Sequence, residues 1–321
     1  MTAPIDTLVT VFGGSGFIGR HVVRALAKRD YRIRVAVRRP ELAGFLQPLG
    51  RVGQIHAVQA NLRFPDSVRA AMQDSSVAIN LVGILTETWN QRFDGVQGSG
   101  AATIAQAAAK VGARLVQMSA IGANADSESE YATSKAAGER AALEAVPEAT
   151  ILRPSVVFGP EDQFTNRFAA LARMSPIMPL VGADTRLQPV YVGDVASAVV
   201  EAVEGRTLPG RVYELGGPEV LTMREAIQII LRVIERKRPM IPVPFALASA
   251  QASVLQYAPG LFKLTPDQVA LLRSDNMVSE SAAKDGLTLP GLGIAGDTME
   301  AILPQYLWRF RATGQFQRKS A

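Results

Sequence analysis

Val9-Thr10-Val11-Phe12-Gly13-Gly14-Ser15-Gly16-Phe17-Ile18-Gly19 is the stretch that decides the fold. An apolar, β-branched run enters glycines spaced G-x-x-G-x-x-G, and a helical pattern follows from Phe17 to Lys28. Strand, tight turn and helix in that order make the cradle a dinucleotide pyrophosphate needs, with backbone N–H groups and a helix N-terminus facing the phosphates. Gly13 permits the turn, Gly16 lets the backbone approach the phosphates, and Gly19 lets helix and strand pack closely. Gly14, Ser15, Phe17 and Ile18 complete the segment expected to face the cofactor. A second strand, Ile33 to Val37, follows about twenty residues on, which favours a nucleotide-binding turn over a glycine-rich connector.

The end of that second strand bears on which nucleotide binds. It reads Val35-Ala36-Val37-Arg38-Arg39-Pro40. An acid at this place would bond the ribose 2′-hydroxyl of NAD. Here two guanidinium groups stand instead, and a guanidinium can take a 2′-phosphate bidentately where a carboxylate would repel it. Arg38, with Arg39 behind it, therefore predicts NADP(H). Arg20 offers a third positive charge, although Lys28, Arg29, Arg32 and Arg34 nearby also fit a solvated basic surface.

Composition narrows the function classes. With 321 residues, 48% hydrophobic and 20% charged, the chain is large and apolar enough for a big α/β domain with an added lobe. The absence of cysteine excludes disulfides, thiolate nucleophiles and iron–sulfur ligation. Two histidines, His21 and His56, are too few for a His-based metal site, and no metal is expected. A net charge of +5 suits anionic partners, and a phosphate-rich cofactor or an anionic membrane surface accounts for it as well as nucleic acid does. Basic residues interleaved with a stacking platform are not visible, so no nucleic acid is expected. The first strand begins within about ten residues of Met1, and no signal or transit peptide is read, which points to the cytoplasm or an equivalent compartment.

Strand-like runs at Ile55–Val58, Val77–Val82, Leu115–Met118, Thr150–Leu152 and Pro189–Val192 alternate with helical patterns at Asp66–Met72, Val96–Lys110 and Tyr131–Ala145. Such alternation calls for right-handed βαβ units: an α/β, doubly wound parallel sheet of Rossmann type. From Pro160 the alternation loosens, and from Pro239 the character changes. The expected division is a dinucleotide-binding domain over residues 1–238 and a small, mainly helical C-terminal lobe over 239–321.

The candidate chemistry sits at Tyr131-Ala132-Thr133-Ser134-Lys135. Four residues apart on a helix, Tyr131 and Lys135 share a face. A Lys ammonium near a phenol stabilises phenolate and lowers the Tyr pKa from about 10 toward a range useful for proton transfer. The same Lys can reach the nicotinamide ribose hydroxyls. Ser119, after the strand Leu115–Met118, can hydrogen-bond a substrate carbonyl or the Tyr hydroxyl. Taken alone the Tyr/Lys spacing also fits a surface pair.

With these residues the chain resembles the short-chain dehydrogenase/reductase superfamily, in its extended or atypical branch, over residues 8 to 235. The resemblance rests on Gly13–Gly19, Asn80-Leu81-Val82-Gly83, Ser119, the Tyr131/Lys135 pair and Leu152-Arg153-Pro154. It implies cofactor contacts at Val82 and Gly83, and a Pro154 that fixes a loop beside the nicotinamide. Ala60-Asn61-Leu62 replaces the usual Asp-Leu, so Asn61, with Leu62, is expected at the adenine. The mid-helix Asn that supports a proton relay in the superfamily has no match in Asp94-Gly95-Val96. Cofactor binding is implied; turnover is left open.

A narrower resemblance rests on Leu152 through Phe164, then Asn166-Arg167-Phe168, and on Arg186 through Ala196. These segments are similar to the Rossmann-type accessory subunit of respiratory complex I and its bacterial relatives. That resemblance implies a protein that holds NADPH tightly at the junction of peripheral arm and membrane, with complex I subunits as partners. The alternative is an active NADPH-dependent reductase on a quinone or isoprenoid-type substrate. Read individually, Asp194 is expected to N-cap the helix running to Val203, and Arg167 to be a surface charge.

Residues 239–262 carry no charge. Three early prolines and two glutamines make this stretch a poor transmembrane span. It fits an interfacial segment, the lid of a pocket for an apolar small molecule, or a buried helix. The end of the chain, from Tyr306-Leu307-Trp308-Arg309-Phe310-Arg311 to Arg318-Lys319, mixes aromatics and cations as interfacial anchors do, and also fits a frayed helix end. The expected location is peripheral, on the cytoplasmic face of the bacterial inner membrane or the matrix-side equivalent.

Overall fold

The computed structural model describes residues 3–258 and 260–313. Seven strands form its main sheet: β1 (Leu8–Phe12), β2 (Arg32–Val37), β3 (Ile55–Gln59), β4 (Val77–Asn80), β5 (Arg114–Met118), β6 (Thr150–Pro154) and β7 (Val212–Leu215). Their order is β7-β6-β5-β4-β1-β2-β3, and every pairing is parallel. Parallel strands need both faces covered, and the inner strand β4 is buried at all four positions while the edge strand β3 fully buries only Ile55. The crossovers with a helix are α1 (Phe17–Ala27), α2 (Pro65–Met72), α3 (Ser99–Lys110), α4 (Glu130–Ala145) and α5 (Val192–Val203). The doubly wound Rossmann-type α/β reading holds.

The chain walks outward from β1 to β3, then returns to the other side of β1 for β4. The order therefore reverses between β1 and β4, which opens a crevice at the carboxyl ends of those two strands. Under the sheet Phe12, Val68, Met72, Ile104, Leu115 and Ile151 pack with a set of alanines on α3 and α4. Small side chains there let the two helices lie close to the strands and to each other.

Two compact units emerge, and neither is continuous in sequence. The first comprises Met1–Pro154, Gly193–Leu215 and Ser279–Ile294; the second comprises Ser155–Val192, Gly216–Val278 and Ala295–Ala321. The 238/239 boundary read from composition thus falls inside the second unit. Composition marks where apolar content changes, whereas a compact unit is set by which segments pack together.

The local expectations need three corrections. The seventh strand of the sheet is Val212–Leu215, not Pro189–Val192; of the latter only Val190–Tyr191 is extended, and it pairs with Val157–Phe158. Asp194 lies within the first turn of α5, which already begins at Val192. The helix expected from Val96 starts at Ser99, after a π-helical turn over Asp94–Gly98.

The second unit contains the helices Thr165–Met174, Met223–Val233 and Phe245–Leu255, with short strand pairs such as Met240–Val243 along Met178–Val181. Phe158, Leu180, Ile227, Ile230, Leu303 and Leu307 belong to its core. Arg167 is no loose surface charge, since it donates to the carbonyls of Leu261 (3.0 Å) and Lys263 (2.5 Å). Within 239–262 the helix Phe245–Leu255 buries only Ala248 and Ala252, while Leu247, Val254 and Tyr257 are exposed. A fully buried helix is therefore not what this segment forms. Tyr306, Leu307 and Phe310 are buried in the core of the unit rather than displayed as surface anchors; Arg318 and Lys319 lie outside the described residues.

Candidate functional site

Because the strands run parallel, the residues that follow them gather along one edge of the sheet. Gly13 follows β1, Arg38 follows β2, Asn61 and Leu62 follow β3, Val82 and Gly83 follow β4, Ser119 follows β5, and Pro154 ends β6. All belong to the first unit. Pro154 is a strand residue rather than part of a loop, and its carbonyl accepts from Ile121 N at 3.0 Å.

The glycine turn sits at the crevice between β1 and β4. Gly13 has φ +78°, a left-handed conformation that side chains disfavour, and a Cβ there would meet the backbone of Leu81 and Val82 at 3.2 Å. Gly16 N donates to Gly13 O at 3.0 Å and Gly16 caps α1, with no side chain to compete for the first helical N–H groups. A Cβ at Gly19 would stand 2.4 Å from Gly13 O and 2.6 Å from Gly14 Cα, so the helix can approach the turn only with glycine there. Ser15, Phe17 and Ile18 lie between these points. Turn and helix N-terminus together form an anion cradle.

The two arginines after β2 differ. Arg39 is held by Glu41, with Nε 2.8 Å from Oε1, and that contact keeps the Glu41 carboxyl below the usual range. Arg38 instead meets the carboxamide of Gln91. Arg20 donates weakly to the carbonyls of Gly16 and Ser15 and lies over the Phe45 ring, 5.0 Å from its centre. Asn61 Oδ1 accepts from Arg63 N at 3.1 Å, which turns the chain after β3. Leu62 packs against the first turn of α3, near Gly100.

At the other end of the crevice, α4 starts at an N-cap, Ser129, whose Oγ accepts from Ala132 N. Tyr131 and Lys135 lie one turn apart, and Lys135 Nζ is 5.8 Å from the centre of the Tyr131 ring. The ring packs edge-on against Phe93. Lys135 is buried, and burial pushes its ammonium down to about 8, with Glu139 pulling the other way. Its Nζ donates to Met118 O at 3.4 Å. Ser119 is also buried, and its Oγ has no hydrogen-bond partner among the described residues.

Gln97 is a residue the sequence reading missed. Its Nε2 donates to Ser134 Oγ at 3.0 Å, while its buried Oε1 has no partner among the described residues. A Cβ built on Gly83 would stand 3.2 Å from both Gln97 Oε1 and Lys135 Nζ, so these two groups converge beside the backbone after β4. The π-helical turn brings Gln97 there. Its extra residue per turn shifts the helical phase, which a regular 3.6-residue count cannot foresee.

The residues fit a nicotinamide dinucleotide. A left-handed glycine at the strand end, an N-terminus capped by glycine, and two orphaned buried polar atoms at Ser119 and Gln97 all call for a polar occupant. A model of the NAD dependent epimerase/dehydratase family matches residues 9–216, which span the whole of this site. The chain belongs to that family. The short-chain dehydrogenase resemblance read from residues 8 to 235 is thereby confirmed, and NAD(P) is the cofactor class.

As a member of the NAD dependent epimerase/dehydratase family, the chain is similar to the protein named NADH dehydrogenase [ubiquinone] 1 alpha subcomplex subunit 9, mitochondrial, of Arabidopsis thaliana. The two are 36% identical over 293 residues, covering 86% of this chain and 72% of the relative. A Caulobacter vibrioides protein named ceramide reductase is 35% identical over 193 residues, 60% of each chain. Among solved structures, the NADPH-dependent quinone oxidoreductase QOR2 of Escherichia coli, complexed with NADPH, superposes with a TM-score of 0.70. It covers 91% of this chain and 97% of its own at 18% identity, a likeness of fold.

Proposed function

We propose that this chain is an NADP(H)-binding accessory subunit of a respiratory NADH–quinone oxidoreductase. The observation that carries the reading is the 36% identity, over 86% of the chain, to a relative bearing the name of such a subunit. NADP(H) rather than NAD(H) follows from Arg38, which stands after β2 where a carboxylate would otherwise exclude a 2′-phosphate. Gly13, Gly14, Ser15, Gly16, Phe17, Ile18 and Gly19 hold the pyrophosphate. Arg38, with a lesser part for the Glu41-bound Arg39, takes the phosphate on the adenosine ribose, and Asn61 and Leu62 border the adenine. Val82, Gly83 and Pro154 line the crevice toward the nicotinamide. Lys135 binds the ribose hydroxyls there. Subunits of the oxidoreductase are the partners, and the association with the inner membrane is peripheral, through them and the exposed apolar side chains of 239–262; no nucleic acid is involved. No helix among the described residues is long and apolar enough to cross a membrane.

Native gel separation of gently solubilised membranes tests the assignment. The chain should migrate with NADH–quinone oxidoreductase activity, and salt or alkaline washing should release it from membranes without detergent. Recovery wholly in the soluble fraction at low salt, with no large assembly, would count against it.

A second reading is favoured by Ser119, Tyr131 and Lys135 remaining together at the crevice: an active NADPH-dependent reductase with a quinone or another apolar substrate. A bound nicotinamide supplies hydride chemistry. Tyr131 would pass a proton to the substrate oxygen, Ser119 Oγ would donate to that oxygen, and Lys135 would hold the ribose and favour the ionised phenol. NADPH oxidation abolished by Tyr131→Phe would establish this reading; a silent Tyr131→Phe leaves NADPH structural.

A further inference from the structure

Arg38 follows β2 and Gln91 belongs to the segment between β4 and α3, yet their side chains meet. The Gln91 carboxamide lies against the Arg38 guanidinium, and turned with its oxygen toward that group it accepts from both terminal nitrogens, with Nη2 at 3.1 Å. In the sheet β1 is hydrogen-bonded to β2 on one side and to β4 on the other. A segment that leaves β4 and touches the end of β2 must therefore cross the end of β1, where the glycine turn begins. The segment has internal order of its own. Thr88 and Gln91 exchange backbone hydrogen bonds of 3.0 and 3.1 Å, and Phe93 N donates to Glu87 Oε1 at 2.8 Å. Its far end is anchored too, because the Phe93 ring packs against Tyr131 at 5.8 Å between centres. Trp89, two residues before Gln91, is 99% exposed.

We propose that residues 84–93 form a clasp over the dinucleotide, with Gln91 as the residue that holds it shut through Arg38. The inference rests on the cofactor reading above. It adds that one anchor lies on the residue assigned to the 2′-phosphate and the other on the residue assigned to the nicotinamide end. A guanidinium presents five N–H donors in a fixed fork, so Arg38 can keep Gln91 and bind a phosphate at once. Such a clasp acts on escape more than on entry, which suits a cofactor that is retained.

The test uses the full chain carrying Trp308→Phe, which leaves Trp89 as the sole tryptophan. Calorimetry with NADPH and NADH measures affinity, and stopped-flow fluorescence measures NADPH dissociation. The clasp predicts that NADPH changes the Trp89 emission and that Gln91→Ala speeds dissociation about tenfold with little change in association, as interface losses generally do. Gln91→Glu places a carboxylate on Arg38 in competition with the 2′-phosphate, and should weaken NADPH about tenfold while sparing NADH. Unchanged dissociation in Gln91→Ala, in a variant that calorimetry shows to bind NADPH, overturns the clasp alone. Tighter NADPH binding in that variant also overturns it, since Gln91 would then be blocking the site. Failure of the parent protein to bind either nucleotide overturns the cofactor reading, and the clasp with it.

Discussion

Glu139 lies one helical turn beyond Lys135 on α4, and Arg153, near the end of β6, grips both of its oxygens, Nε to Oε1 at 2.7 Å and Nη2 to Oε2 at 2.6 Å. The pair ties the helix that carries Tyr131 and Lys135 to the strand that ends in Pro154. Glu139 is buried, and its hydrogen bonds raise the Arg153 pKa, keeping that guanidinium charged. The position of Lys135 in the crevice thus depends on a contact outside the crevice.

Removing one member of a buried pair leaves the other charge unpaired. Arg153→Met should therefore destabilise the fold by about 3–5 kcal/mol, far more than a surface ion pair is worth. Adding Glu139→Gln to the same chain should recover a large part of the loss, because the buried Glu139 carboxylate is then no longer left without its partner. Chemical denaturation of the parent protein and the two variants checks this; a loss under about 1 kcal/mol in Arg153→Met would show that Glu139 finds other partners.

The close approach at the glycine turn makes a sharper prediction. In Gly19→Ala the new methyl meets backbone atoms at 2.4–2.7 Å, and backbone cannot step aside as a flexible side chain can. The expected cost is about 1–3 kcal/mol, together with loss of dinucleotide binding as the turn deforms. Gly95→Ala is the control, since nothing lies within 4 Å of its Cβ. Equal thermal stability and equal NADPH affinity in the two variants would refute the argument.

Cofactor preference should follow one side chain. The parent protein is expected to favour NADPH over NADH by about one to three orders of magnitude, the worth of one or two charge-assisted phosphate contacts. Arg38→Ala should erase most of that ratio while leaving NADH affinity nearly unchanged. Arg39→Ala should do less, because Glu41 already occupies its guanidinium. Titration calorimetry with both nucleotides decides it, and a preference untouched by Arg38→Ala would place the phosphate elsewhere.

The depressed Lys135 pKa gives a pH dependence with a definite sign. The ammonium is present below about 8 and lost above it. If it binds the ribose hydroxyls as a donor, NADPH affinity should fall as pH rises through about 8, and Lys135→Met should flatten that step. The same shift acts on folding. An unfolded Lys titrates near 10.4, so between about 8 and 10.4 the unfolded chain binds more protons and this group makes stability rise with pH. Affinity flat across that range in the parent protein would remove Lys135 from the ribose.

The sequence alone determined the sheet-forming strands β1 to β6, the glycine turn, the arginine after β2, and Tyr131 with Lys135 on one helix. Each is a local matter: alternating or continuous apolar runs, glycine where a turn demands it, and a four-residue helical spacing. It missed β7 because four residues, Val212–Leu215, interrupted by Glu214, carry little periodic signal, while the equally short but uncharged run Pro189–Val192 looked more like a strand. Glu139 was within reach of the spacing argument, being four residues past Lys135, but its partner Arg153 lies on another element. Gln97, Gln91 and the Lys135 pKa were settled only by the tertiary structure. A π-helical turn changes the phase of every side chain after it, a crossing segment pairs residues more than fifty positions apart, and a pKa depends on which neighbours exclude water. Those are properties of three-dimensional packing, and no local pattern encodes them.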